Sequence, residues 1–493
     1  MGREGLSITS AWAGENEQSG KYGTISSPGA ERTHKEVRKM RSKKGWFTGL
    51  SLIMSLGLVL SGCGSSGQSG QQAGGDNGAK QGGETPPAQT ATPPKVSTEP
   101  VTMSFLQTSA AMTDEEFAKW IVAPVKKKYP NITLNLVRQD KIDKLAEFVT
   151  AGNMPDIIYA GPVSAREIVD LKAADDLNAQ IKQNNIDIAK FDPVGIEAIQ
   201  QLADGKEMYA LPMGLNFSIM YYNKDIFDKF AVSYPKDGLT WDDAIELAKR
   251  VTRTEDGVEY RGLAINGNSN RLGEQLSLPM VDPKTLKGVL QTDKWKLVMQ
   301  TYQKLYTIPG NYLEPKDGVN AFEKDRYVAM FAGMSARIGE LEQMQNQGNP
   351  MNWDMATTPT FKEAPKMVFG NGPYYLMQST NSKHKNEVFA IIDLLTQDEE
   401  QTMISKQARR SALKDKKYQD IFGTELASMK GKNIAAVFKM TPAPLPPTTI
   451  YETDGFNQVV AAGRLVAKDP ALDVNTVLRD AEEKLNKAIE AKK

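Results

Sequence analysis

Across 493 residues there is one cysteine, Cys63, and there are two histidines, His34 and His384. A lone cysteine cannot close an intramolecular disulfide or build a cysteine-rich zinc site. Two histidines leave little for a clustered metal site or for a Ser-His or Cys-His triad, so catalysis would have to rest on carboxylates, Lys, Tyr or Arg. Sixty Lys and Arg balance sixty Asp and Glu, and no excess of positive charge draws the chain to nucleic acid. The phosphate-cradling pattern G-x-x-x-x-G-K-[ST] is absent, so no ATP site of that kind is expected. No cofactor and no metal are expected either.

What is present begins with a leader. Residues 1–39 are polar and rich in Ser, Gly and Glu, with no sustained periodicity, and read as a non-structural extension. Met40 is expected to be the true start, because Arg41, Lys43 and Lys44 are followed by an uncharged apolar run from Gly45 to Gly62, the layout of a signal peptide. A spanning helix needs roughly 20 apolar residues, and this run is shorter. It ends in Leu60-Ser61-Gly62-Cys63. That sequence resembles the bacterial lipobox, whose cysteine is acylated and becomes the new N-terminus, so residues 40–62 are expected to be removed and Cys63 lipidated. Loss of residues 1–62 takes away nine basic and five acidic side chains and leaves 51 against 55, a formal charge of −4.

From Gly64 to Lys95 there is no Val, Ile, Leu, Met or aromatic residue, so the stretch cannot order itself around a core. Residues 63–98 therefore read as the lipidated cysteine and a tether with a random-coil reach of about 30 Å. The body begins at Val101. Thr102–Gln107 reads as a strand, and Thr113-Asp114-Glu115-Glu116 as a capping box opening a helix that Pro124 should kink or restart. Asn131–Val137 alternates as a half-buried strand, Lys141–Ala151 is amphipathic, and Pro155–Tyr159 is a further strand. Thr240-Trp241-Asp242-Asp243 caps another helix. Gly262–Ile265 reads as a strand ending in the polar loop Asn266–Arg271, and Arg326–Phe331 as a buried strand stopped at Gly333. Val474, Val477, Leu478, Ala481, Leu485 and Ile489 form a stripe of period 3.6 on a closing helix. Strands alternating with helices indicate α/β layers.

The stretch Asp204–Phe227, DGKEMYALPMGLNFSIMYYNKDIF, resembles the segment of family 1 extracellular solute-binding proteins in which a GK-x-Y-A-L-P strand precedes YYNKD-x-F. Other pieces follow in the family's order: Lys128-Tyr129-Pro130-Asn131-Ile132, Gly152-Asn153-Met154-Pro155-Asp156-Ile157, Leu239–Asp243, Tyr327–Met330 with Gly333, Pro359–Lys362 before Gly370-Asn371-Gly372, and Gln397-Asp398-Glu399. The resemblance spans residues 101–493, with maltose-binding protein a distant relative. It implies a periplasmic-binding-protein-like (type II) α/β fold of two lobes, a hinge and an interlobe cleft. Lobe one would hold 101–211 and 377–425, and lobe two 212–376 and 426–493, with crossings near Ala210-Leu211-Pro212, near Pro359–Gly372 and after Met429.

Ligands of α/β sheets lie beyond the carboxyl ends of the strands, and a sugar asks for amide, carboxylate and guanidinium groups beside aromatic faces. The candidates on that basis are Gln107 and Ser109, then Gly161 and Ser164, then Asn216, then Asn268, Asn270 and Arg271, then Arg337, Asn371 and Tyr374. The family's habit of a late aromatic adds Tyr451. As structural alternatives, each Asn serves as a turn residue, Arg337 pairs with Glu340 on its own helix, and the two tyrosines pack in the core. Where maltose-binding relatives carry Trp and acidic residues after the corresponding strand, this chain has Ala160, Gly161 and Val163, which removes a stacking platform. The expected function is a monomeric, lipid-anchored, non-catalytic receptor on the extracellular face of the cell membrane. It would hand a small solute, a carbohydrate, to the permease subunits of an ABC importer. The alternatives are a ligand sensor for a membrane signalling protein and a surface glycosidase. The adjacent pairs Asp242-Asp243 and Asp175-Asp176 point apart on a helix and make poor acid and nucleophile partners.

Overall fold

A computed structural model describes residues 96–108, 112–139, 144–202, 205–370, 372–447 and 449–493. The leader, Cys63 and the tether fall outside the described residues, as do Ser109 and Asn371. The strands in chain order are β1 (Val101–Gln107), β2 (Ile132–Arg138), β3 (Ile157–Ala160), β4 (Leu211–Leu215), β5 (Ser218–Asn223), β6 (Arg253–Glu255) and β7 (Val258–Ile265). They continue with β8 (Val328–Met334), β9 (Trp353–Ala356), β10 (Met367–Val368), β11 (Pro373–Gln378), β12 (Arg410–Ser411) and β13 (Thr441–Pro442). They form two mixed sheets, ordered β12-β4-β11-β3-β1-β2 and β6-β7-β8-β5-β9, and a small pair, β10-β13.

The first sheet is built as β-α-β units. β1 pairs in parallel with β2 and β3, and β11 returns antiparallel between β3 and β4. β3 is buried along its whole length, as a strand covered on both faces must be, so its IIYA sequence shows no alternation. The capping box at Thr113 forms as expected. Pro124 does not break the helix that follows. Asp114–Phe117 runs through a π-helical turn, Ala118–Val122, into Ala123–Lys128, and the wider turn absorbs the missing N–H of the proline.

In the second sheet β7 and β8 are parallel, and β5 lies antiparallel between β8 and β9. β6 and β7 form a hairpin around Asp256-Gly257, both at positive φ, the Asp-Gly turn that matches strand twist. The helix Trp241–Val251 buries Trp241, Ala244, Ile245, Ala248 and Val251, spaced as one apolar face. Gly262 in β7 lets that helix approach closely, for a Cβ there would lie 2.3 Å from the Ala248 carbonyl oxygen. The helices Glu452–Lys468 and Val474–Glu490 close the same core, the second through the expected stripe. Each sheet thus has its own buried core, and a third cluster joins the opposite face of the second sheet to Phe422, Met429 and Val437.

The chain changes sheet at Asn216-Phe217, between β4 and β5. The boundary expected at 211/212 therefore falls inside β4, because Leu211–Leu215 stays hydrogen-bonded to β11 and β12. It returns between β9 and β11, and the boundary expected at 376/377 falls inside β11 for the same reason. After β12 it leaves again, and the backbone N–H groups of Ala427 and Ser428 donate to Glu342 on the helix Arg337–Asn346, which follows β8.

Candidate functional site

Gln107 and Arg138 end β1 and β2 and sit side by side in parallel register, so both reach beyond the carboxyl edge of the first sheet. Arg138 donates to Gln107 Oε1 at 2.6 Å, to the Met112 carbonyl at 2.8 Å and to Asp114 Oδ1 at 2.5 Å. These residues line a cavity of about 480 Å³ together with Glu115, Glu116 and Arg409. Its opposite wall is the helix Arg337–Asn346, which contributes Glu340 and Gln343, with Ala336 just before it. Elements attached to both sheets therefore flank an open volume in the range of small-molecule sites.

Arg409 is held by local geometry and by charge. The helix Asp398–Lys406 ends in a Schellman arrangement in which the Ala408 N–H donates to the Ser405 carbonyl and the Arg409 N–H to that of Ile404. Ala408 takes the left-handed conformation, φ 58°, usually left to glycine. That turn aims Arg409 into the molecule, where its side chain is 7% exposed and meets Glu116 Oε1 at 2.8 Å. The other carboxylate oxygen of Glu116 accepts from the Thr113 N–H in the capping box. Burial opposes the Arg409 charge most strongly, but Glu116, Tyr374 and Tyr159 together lift the guanidinium above its ordinary pKa. The guanidinium lies over Trp120, 4.9 Å from the ring centroid, and over Tyr374, both favourable cation–π placements.

Tyr374 extends this connection to the crossing. Its ring stacks on Tyr159 at 5.6 Å, and its hydroxyl lies 3.4 Å from Arg409 Nη1 and 3.3 Å from Ser335 Oγ. Ser335 in turn donates to Asn216 Oδ1 at 2.7 Å. Burial pushes the Tyr159 phenol well above the usual range, so that ring stays neutral. The fold thus places Gln107, with Arg138, at the same cavity as Arg409 and Glu116, and Arg409 connects through Tyr374 and Ser335 to Asn216. Arg138, Glu116, Arg409 and Ser335 are not among the sequence candidates.

The other candidates lie elsewhere. Gly161 precedes the helix Pro162–Asp170, on which Ser164 is buried, and Pro162 abuts Gly372, where a Cβ would lie 2.2 Å from its ring. Asn268, Asn270 and Arg271 follow β7, but the expected loop is cut short, since Asn270 and Arg271 begin the helix Asn270–Gln275 and both bond Glu274. Ser269 anchors this turn by donating to the Val459 carbonyl, against Gly463. The Asn268 Oδ1 is buried without a hydrogen-bond partner among the described residues, as is Glu452 Oε2 at the start of the helix Glu452–Lys468. Arg337 pairs with the buried Glu323 at 3.3 Å, not with Glu340. Tyr451 packs into the core of the second sheet.

Two sheets joined by repeated crossings, with a polar cavity walled from both, are the layout of a receptor that encloses a solute. Residues 109–402, more than half of the chain, match the family described as bacterial extracellular solute-binding protein. The chain belongs to that family, a binding family and not a catalytic one. Solved structures agree on the fold. An ABC substrate-binding protein from Listeria monocytogenes in complex with cycloalternan is 17% identical, with TM-score 0.62 over 79% of this chain and 99% of that one. An ABC transporter solute-binding protein from Thermotoga lettingae bound with α-D-tagatose is also 17% identical, with TM-score 0.64 over 79% and 99%. A maltose-bound MalE3 from T. maritima is 16% identical, with TM-score 0.59 over 80% and 100%. Among the described residues no helix is long and apolar enough to cross a membrane.

Proposed function

We propose that the chain is the lipid-anchored receptor of an ABC importer and that it captures a mono- or oligosaccharide in the cavity between its two sheets. The observation that carries this reading is that cavity, of about 480 Å³, lined by strand-end and helix residues attached to both sheets, in a chain of a solute-binding family. Its lining is rich in carboxylates, guanidinium and amide groups, the acceptors and donors that sugar hydroxyls need. That the Listeria, Thermotoga lettingae and T. maritima proteins are described with a cycloalternan, a ketose and maltose bound supports a sugar as the solute.

In this reading each sheet with its helices is one lobe, and Asn216-Phe217, the β9–β11 return and the stretch after β12 are the hinge. A ligand touching both lobes stabilises the closed form by its differential affinity, and a permease reads that form. Gln107, Asn216 and Tyr374 belong to the ligand's surroundings, with Arg138, Glu116 and Arg409 beside them. Asn268, Asn270 and Arg271 would form a second contact area. Cys63 carries the lipid on the outer face of the cell membrane, and residues 64–95 hold the body away from it.

Titration calorimetry of the full-length protein against mono- and disaccharides tests the receptor. Saturable binding with the sugar recovered intact is expected, and measurable hydrolysis would sink the reading. Incorporation of labelled palmitate that disappears in Cys63→Ala tests the anchor separately.

A further inference from the structure

The cavity holds two cations, and both are engaged: Arg138 with Asp114, Gln107 and the Met112 carbonyl, and Arg409 with Glu116 and Tyr374. The carboxylates outnumber them. Asp114, Glu115 and Glu116 come from the first-sheet side and Glu340 from the helix opposite. Among the described residues neither Glu115 nor Glu340 has an ion-pair partner, whereas Asp114 and Glu116 do. The two walls also meet closely, since a Cβ on Gly339, the neighbour of Glu340, would lie 2.8 Å from Glu116 Oε1. Carboxylates of both sides therefore face one volume.

A hydroxyl or an ammonium group entering there can donate to these carboxylates in charge-assisted hydrogen bonds. A carboxylate or phosphate adds like charge beside Glu115 and Glu340, and among the described residues of the lining no unpaired cation answers it. It could be accepted only by displacing Asp114 from Arg138 or by breaking the Arg409–Glu116 pair, and the second would leave the largely buried Glu116 unmatched. Resting on the receptor reading, we infer that this cavity takes uncharged or amine-bearing polyhydroxy solutes and rejects carboxylated or phosphorylated ones, with Glu340 as a specificity-determining residue.

The test is calorimetry on the full chain with glucose, galactose, mannose and their disaccharides, each beside its amino-sugar and uronic acid counterparts. The expected result is that a neutral or amino sugar binds and its uronic acid counterpart binds at least about tenfold more weakly. Glu340→Gln should narrow that gap to about threefold or less without changing the melting temperature of the unliganded protein. A uronic acid that binds as tightly as its neutral counterpart overturns the charge inference and leaves the receptor standing, as does a gap that Glu340→Gln does not move. If no member of the panel binds, the sugar-receptor reading falls, and the inference falls with it.

Discussion

Beyond the ends of β1 and β2 both guanidinium groups are answered by carboxylates, whereas beyond the end of β7 two buried oxygens go unanswered among the described residues. Arg138 is matched by Asp114 and Gln107, and Arg409 by Glu116 under two aromatic rings. Among the described residues the buried indole N–H of Trp120, which lies under the Arg409 guanidinium, makes no hydrogen bond. Around the helix Asn270–Gln275, by contrast, Glu274 satisfies Asn270 and Arg271, and among the described residues nothing answers Asn268 Oδ1 and Glu452 Oε2. A network satisfied by the chain itself is rigid before any solute arrives, while bare acceptors carry a desolvation cost that only a donor can relieve. The first neighbourhood therefore reads as a preformed wall, and the second as a place still short of a partner.

The largest effect should come from breaking the preformed wall. Arg409→Ala removes the buried cation that matches the largely buried Glu116 carboxylate, and breaking a buried pair from one side costs about 3 to 5 kcal/mol. Urea unfolding of the full-length protein should show that loss, and Arg409→Ala with Glu116→Gln together should recover part of it, since the neutral amide is cheaper to leave unpaired. A loss below about 1 kcal/mol would place the pair among exposed ion pairs and remove the contrast between the two neighbourhoods.

An intermediate effect tests the second neighbourhood through pH. Burial pushes the Glu452 carboxyl up to about 7, against the opposing pull of the Thr449 backbone and Arg166, while Glu274 adds to the rise. The folded chain then holds a proton that the unfolded chain releases at an ordinary carboxyl pKa. This contribution to stability is full below about pH 4.5 and is lost as pH rises through about 7. Glu452→Gln does not titrate, so its stability should fall less between pH 5 and 8 than that of the parent, by on the order of 1 to 3 kcal/mol. Glu323, pushed to about 7 by burial despite Arg337, keeps a residual slope of the same sign. Parallel stability–pH curves for parent and variant would show that Glu452 is solvated and not starved of a partner.

The contrast also marks how far a sequence can be read. Strand β2 follows from hydrophobic alternation, and the position of Gln107 at the end of β1 from the strand-end rule, both local properties. Glu116 is visible as the closing residue of a capping box, but its second carboxylate oxygen serves Arg409, 293 residues away, and no local pattern encodes that. Arg409 itself is aimed by a left-handed Ala408 where the usual signal is glycine, so the turn gives no warning. Asn270 and Arg271 begin a helix whose first-turn neighbour Ser269 makes no capping bond, its hydroxyl being spent on Val459. Arg337 meets Glu323 instead of Glu340 because the helix Gly318–Glu323 is brought against it in space, a choice that helical spacing cannot see.

The smallest effect on stability is the sharpest on function. Asn268→Ala deletes a buried acceptor that has no partner among the described residues, so it removes a desolvation cost and no hydrogen bond. The apo protein should keep its stability to within about 0.5 kcal/mol or gain slightly. If a sugar hydroxyl is the missing donor, affinity should fall by about fivefold to tenfold, the worth of one hydrogen bond of ~1 kcal/mol or a little more. The two readouts separate the cases. A stability loss above about 1 kcal/mol would mean that Asn268 is a turn residue with a structural partner, while unchanged stability with unchanged affinity would mean that its bare oxygen faces nothing the solute reaches. Only unchanged stability with weakened binding makes the end of β7 the half of the site that the ligand completes.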